Sequence, residues 1–165
     1  MFPRGLAAAV VLAAGASTRY GGVKQRELLP AVLAALAESS VDEVVVVEGA
    51  HSLVPGTGFR LVRCERWEQG AGASLRCGLA ALGAEVERAV VVLADGPDLD
   101  PRAVDRLLAH EAPVAAASYD GHRSHPVALA REVWGGIPDR GGRALDAVLV
   151  DCSDLRPPGD VDVRR

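Results

Sequence analysis

The chain has 165 residues, 49% hydrophobic and 24% charged, which suits one folded domain with a substantial core and excludes a disordered polymer. Its net charge of −4 and pI near 5.5 exclude a general nucleic-acid binder, but leave room for a local cationic site that takes a phosphorylated small molecule. No apolar run reaches the roughly 18 residues of a membrane span, and Cys64, Cys77 and Cys152 lack CxxC spacing, so all three are expected as ordinary thiols in a reducing, cytoplasmic setting.

Four apolar runs recur, at 7–13 (AAAVVLA), 43–47 (EVVVV), 89–94 (AVVVLA) and 113–117 (PVAAA). They are continuous rather than alternating, which predicts strands buried on both faces of a parallel sheet. Arg4, the apolar run after it and Ala14-Gly15-Ala16 also imitate a secretion signal. The similar internal run at 89–96 favours a buried first strand instead. Between the strands, Leu29, Val32, Leu33 and Leu36 predict a helix over about 28–39 with Pro30 in its first turn, and Leu75, Leu79 and Leu82 predict one over about 73–83. Asp100 followed by Pro101 predicts a capped helix through Val104, Leu107 and Leu108. Further on, "YDGHRSHPVALA" reads as a turn and a strand, and "GGRALDAVL" as a short helix. Strands alternating with helices imply an α/β fold with a mainly parallel sheet and right-handed crossovers.

Ligands in such sheets bind at the carboxyl ends of the strands. Three Gly-containing polar segments fall there: 14–24, 66–74 and 95–100. The first, "AGASTRYGGVK", is neither a dinucleotide fingerprint nor a Walker A loop, since its glycines have other spacings and Gln25 follows Lys24. What it offers is flexible backbone N–H groups and two cations, Arg19 and Lys24, suited to a polyphosphate. A solvated loop with two surface cations is the plainer reading of the same residues.

"LAAGASTRYGGVK" resembles the LAAGxSxRxGxxK signature of the MobA-like nucleotidyltransferases. "WEQGAGASLRCGL" at 67–79 is similar to the WxxGMGxSLRxGL segment of molybdenum cofactor cytidylyltransferases, and "LADGPDLDP" at 93–101 to their strand-end ADQP motif. "SHPVALAREVW" (124–134) resembles GHPVLF, "DRGGRAL" (139–145) resembles GDxGAR, and "DVDV" (160–163) resembles a closing DIDTPED. The resemblance covers most of the chain in order. It implies a Rossmann-like three-layer sandwich of the nucleotide-diphospho-sugar transferase type. It also implies transfer of a nucleoside monophosphate from an NTP to a phosphorylated acceptor such as molybdopterin, with release of pyrophosphate.

On that resemblance, Arg19 and Lys24 would hold the triphosphate, and Leu12, Ala13, Ala14 and Gly15 would meet the base and phosphates. Asp95 would bind Mg²⁺, which prefers one or two carboxylates plus phosphate oxygens, so Asp162 or Asp160 would be the second ligand. Ser74 and Arg76 would face the nucleotide from a helix start, although a surface helix cation explains Arg76 equally well. His125 would sit near the acceptor. Ala14 leans toward CTP, since the guanylyltransferase branch carries LAGG there.

The chain also departs from the pattern. The stretch after Lys24 and the segment 48–60 are short, the latter lacking an expected helix. Ala71, Gly96 and Ser124 replace a Met, a Gln and a Gly, and the sequence stops two residues past Val163, before a TPED cap. The alternatives are therefore a guanylyltransferase of the same family, or a non-catalytic nucleotide-binding or chaperone-like partner of a molybdoenzyme.

Overall fold

The computed structural model describes residues 5–14, 24–50, 52–53 and 56–159, with Lys24–Arg26 described by backbone alone. Gly15, Arg19, His51, Asp160 and Asp162 lie outside the described residues.

The predicted apolar runs form the middle of a seven-stranded sheet. The first strand, β1 (Leu6–Ala13), pairs in parallel with β2 (Glu43–Glu48) on one side and β4 (Val86–Leu93) on the other. The stretch that imitates a secretion signal is therefore a central strand. Val10 lies between Val45 and Val91, and Val11 between Val46 and Val92. Both faces are apolar because both are covered, and each buried valine contributes about 1.5–3 kcal/mol through loss of water contact. On one face α2 (Ala71–Ala80) sets Leu75 and Leu79 against Ala8, Val10, Val45 and Val91. On the other, α1 (Lys24–Ala37) and α3 (Pro101–Ala109) bring Leu29, Val32, Leu36, Val104 and Leu107 onto Ala9, Val11, Val46 and Val92.

Asp100 caps α3 as expected: its side chain accepts a hydrogen bond from the Arg102 backbone N–H at 2.9 Å, and Pro101 occupies the first turn. In α1 the sequence expectation needs correction. The helix starts at Lys24, so Pro30 lies beyond the first turn and leaves one backbone carbonyl of the preceding turn without its amide partner. Its ring is exposed, and the buried Leu29, Val32 and Leu36 hold the helix against the sheet despite that loss.

Two short strands escaped the sequence reading. These are β3 (Arg60–Arg63), which pairs with β2, and β7 (Val148–Asp151), which pairs in parallel with β5 (Val114–Tyr119). The predicted helix over "GGRALDAVL" is only a 3-10 turn at Gly142–Ala144, after which the chain extends into β7. Asp120 and Gly121, both at positive φ, turn the chain from β5 into the antiparallel β6 (His122–Ala130), which inserts between β4 and β5. The strand order is β3-β2-β1-β4-β6-β5-β7.

The cysteine expectation is also corrected. Cys64, just past β3, and Cys77, on α2, form a disulfide with Cα atoms 5.9 Å apart; Cys152 is a buried free thiol. Neither spacing nor an odd count shows this pairing, because it arises from α2 lying over the end of β3, just before Cys64. Unfolded without reductant, the protein is expected to release one titratable thiol per chain, and with reductant three. Three thiols in both assays would refute the bridge.

The seating of α2 depends on Gly78. A Cβ there would lie 2.5 Å from Val10 Cγ1 and 2.9 Å from Val47 Cγ2, both fixed in the sheet. Gly78→Val is expected to lower the unfolding free energy by about 1–3 kcal/mol in urea titrations. An unchanged midpoint would show that α2 can lift without cost.

Candidate active site

The sheet is built outward in both directions from β1: the chain passes to β2 and β3 on one side, then returns to β4 on the other. The carboxyl ends of the adjacent parallel strands β1 and β4 lie side by side, at the end of the sheet where ligands bind in such folds. A cavity of about 660 Å³ occupies that end, with Leu12 of β1 and Val91–Leu93 of β4 in its wall. Arg123 and His125 of β6, Ala71 at the start of α2, the 140–143 loop and Pro157–Gly159 complete it. The positive end of the α2 dipole thus opens onto the cavity. Among the described residues no acidic side chain is in the lining, although the whole chain is net negative.

Beyond β4 the chain turns at Ala94 and Asp95. Leu93 and Gly96, on either side of this turn, both line the cavity. Gly96 is where the C-terminal segment crosses: a Cβ would come 3.1 Å from Pro158 Cβ and 3.2 Å from the Gly159 carbonyl oxygen. The Asp98 N–H donates to the Pro158 carbonyl at 2.8 Å, and the Asp98 carboxylate lies 3.6 Å from Arg156. The departure from the family pattern at position 96 thus has a physical content, since the longer glutamine would displace this crossing.

His125 is held neutral. Burial first, and then the Arg143 and Arg123 guanidinium groups, push its imidazole down to about 4 against the opposing pull of the Asp95 carboxylate. A neutral imidazole presents one donor and one acceptor nitrogen to whatever enters.

Residues 9–149 match the family model of the MobA-like NTP transferase domain. The chain belongs to that family. It is a nucleotidyltransferase. The crystal structure of a homologue of Mycobacterium tuberculosis Rv0371c, from Mycobacterium sp. strain JC1, superimposes with a TM-score of 0.78 at 25% identity, over 95% of this chain and 90% of that one. Two more distant structures share the fold. Rv0371c of M. tuberculosis H37Rv in complex with manganese has a TM-score of 0.62 at 22% identity, over 88% of this chain and 89% of that one. A CMP:2-keto-3-deoxy-manno-octonic acid synthetase complexed with CTP has a TM-score of 0.75 at 14% identity, over 96% and 93%. No curated protein matches the sequence. The mainly parallel sheet with helices on both faces is the Rossmann-like, nucleotide-diphospho-sugar transferase type that the motifs implied.

Within this MobA-like transferase the anticipated residues divide. Leu12 lines the cavity; Ala13 and Ala14 are buried at the strand end, where the Ala14 carbonyl accepts the Ala50 N–H at 3.2 Å. Asp95 and His125 come together at the ends of β4 and β6. Ser74 is buried in α2 and, like Arg76, is not part of the cavity lining. The Arg76 guanidinium instead donates to the Ile137 carbonyl at 2.7 Å and to Asp139 Oδ1 at 3.2 Å. Lys24 begins α1, with its side chain outside the description, as are Gly15, Arg19, Asp160 and Asp162. Among the described residues no three His, Cys, Asp or Glu side chains gather as a metal cluster. One strand-end carboxylate nevertheless satisfies the minimum for a cation that takes its remaining ligands from phosphates and water. The sequence reading missed Arg123, Arg140 and Arg143, which the "DRGGRAL" motif and the β6 strand carry into the wall.

The His125 environment makes a pH-dependent contribution in the metal-free protein. An unfolded imidazole titrates near 6.5 and the folded one near 4, so the unfolded state binds a proton that the folded state refuses across this window. Stability is expected to fall as the pH drops from about 6.5 to about 4, and His125→Asn should flatten that limb in urea titrations at successive pH values. An NMR midpoint for His125 above 6 would contradict the burial argument.

Proposed function

We propose that this protein is a Mg²⁺-dependent nucleotidyltransferase that moves CMP from CTP onto a phosphorylated pterin acceptor of the molybdopterin type and releases pyrophosphate. The supporting observation is the crevice between β1 and β4, where Asp95 closes one strand while the described residues of the wall are cationic and include no acid. Family membership supports NTP transfer in general. The manganese complex of Rv0371c and the CTP complex of the synthetase agree with divalent-metal and nucleotide use at the level of fold. Ala14 in the LAAG stretch favours CTP over GTP. We read residues 1–165 as one such domain and place it in the cytoplasm, where nucleoside triphosphates are kept; no helix among the described residues is long and apolar enough to cross a membrane.

In this reading an oxygen of the acceptor phosphate attacks the α-phosphorus, a new P–O bond forms, and the bond to the bridging oxygen of the β-phosphate breaks. The acceptor is already an anion, so no general base is needed and catalysis is a matter of alignment and charge. Leu12, Ala13, Ala14 and Gly15 receive the nucleotide, and Arg19 and Lys24 neutralise its triphosphate. Asp95 holds Mg²⁺ together with Asp160 or Asp162; when bound, the cation offsets charge on the phosphates. The C-terminal chain reaches Gly159 directly beside Gly96, which supports a tail carboxylate as the partner of Asp95. Neutral His125 offers a hydrogen bond toward the acceptor without adding charge.

The test is pyrophosphate release from the four NTPs with Mg²⁺ and molybdopterin. CTP is expected to be the best donor, and Asp95→Asn should lower kcat by about 100-fold or more with the circular dichroism spectrum unchanged. Absence of both turnover and NTP binding in the wild type would defeat the proposal. Binding without turnover would favour the non-catalytic partner, a reading motivated by the lack of a helix among the described residues between β2 and β3.

A further inference from the structure

Arg140 and Arg143 flank Gly141 and Gly142 at the edge of the cavity; both are exposed. Neither forms a hydrogen bond or ion pair with any described residue. The loop that carries them is held from several sides. The Gly72 N–H donates to the Asp139 carbonyl at 2.9 Å and the Gly141 N–H to the Pro138 carbonyl at 2.9 Å. Arg76 grips Ile137 and Asp139 from α2, while Arg123 donates to the carbonyls of Gly142 at 2.9 Å and Leu145 at 2.7 Å. A Cβ at Gly72 would sit 2.0 Å from the Pro138 carbonyl oxygen, and Gly141 has φ +84°, so the sequence is matched to this backbone path. Two arginines thus hold a loop that presents two others, without a described partner, to a cavity whose described wall carries no acid.

The two arginines belong to the α2 side of the sheet. Ile137 and Leu145, which bound the loop, pack on the α2 face of the sheet, whereas α1, which begins at Lys24, packs on the opposite face. Arg143 also lies close enough to His125 to depress its titration, and Asp95 acts on the same imidazole from its own position. The pair therefore faces the strand ends from the α2 side of the sheet.

We propose that Arg140 and Arg143 form a two-arginine seat for the phosphomonoester of the acceptor, on a loop fixed by Arg76 and Arg123. This deepens the function proposed above and rests on it. Two planar guanidinium groups match the three terminal oxygens and double charge of a phosphomonoester, which a carboxylate matches less well. The apolar wall of Leu12, Val91, Leu93 and Val127 then receives the uncharged body of the acceptor.

The experiment titrates the full-length protein with phenyl phosphate, benzoate and, separately, CTP with Mg²⁺, by calorimetry and by NMR of the Gly141 and Gly142 amides. The wild type is expected to bind phenyl phosphate at least about tenfold more tightly than benzoate. Arg140→Ala and Arg143→Ala should each weaken phenyl phosphate by about tenfold and leave CTP within about twofold. Both side chains are exposed, and an unchanged Tm confirms that the variants fold. The seat is overturned if phenyl phosphate does not bind, if benzoate binds as well, if neither substitution weakens it, or if CTP affinity falls in parallel. Failure of the wild type to bind CTP would defeat the nucleotidyltransferase reading instead, while the phenyl phosphate titrations would still decide whether the arginines seat an oxyanion.

Discussion

The parallel pairing of β1 with β4 is the contact on which the rest of the molecule depends. Val10 against Val91 and Val11 against Val92 lock the two central strands in register and supply the apolar floor on both faces. The carboxyl ends of both strands border the cavity, through Leu12 on β1 and Val91–Leu93 on β4, and leave a gap at the end of the sheet where ligands bind in such folds. Anything that shifts this register by one residue would turn each valine to the opposite face and move Asp95 away from the crevice.

Glycines without side chains set how closely the remaining parts approach that gap. Gly78 lets α2 lie directly on Val10 and Val47, Gly72 lets the 138–141 backbone touch the start of α2, and Gly96 lets Pro158 and Gly159 cross the end of β4. Of the three, Gly96 borders the cavity itself, Gly72 fixes the loop that forms part of its wall, and Gly78 seats the helix that carries Ala71 to it. The site is consequently determined as much by missing Cβ atoms as by functional side chains.

The sheet core was legible in the sequence because a strand buried on both faces has to be a continuous apolar run, as β1, β2, β4 and β5 are. β3 and β7 were not, since an edge strand of four residues such as "RLVR" has neither the length nor the pattern to announce itself. The long motifs put Asp95 at a strand end and His125 near the acceptor, but they could not show the direction of a helical side chain. Arg76 sits in the motif that suggested a nucleotide contact, and its guanidinium turns toward Ile137 and Asp139. The disulfide and the two exposed arginines were illegible for a related reason. Each depends on how α2 and the 137–145 segment lie over the sheet, and no local pattern encodes that.

The neutral state of His125 reconciles the two charge environments in the crevice. Asp95 at the end of β4 is the group suited to a divalent cation, and Arg143 is suited to an oxyanion, yet both act on the same imidazole. Were His125 cationic, it would oppose a metal at Asp95 and compete with Arg143 for the incoming phosphate. Burial removes that charge, so the imidazole separates a negative pole from a positive one without joining either.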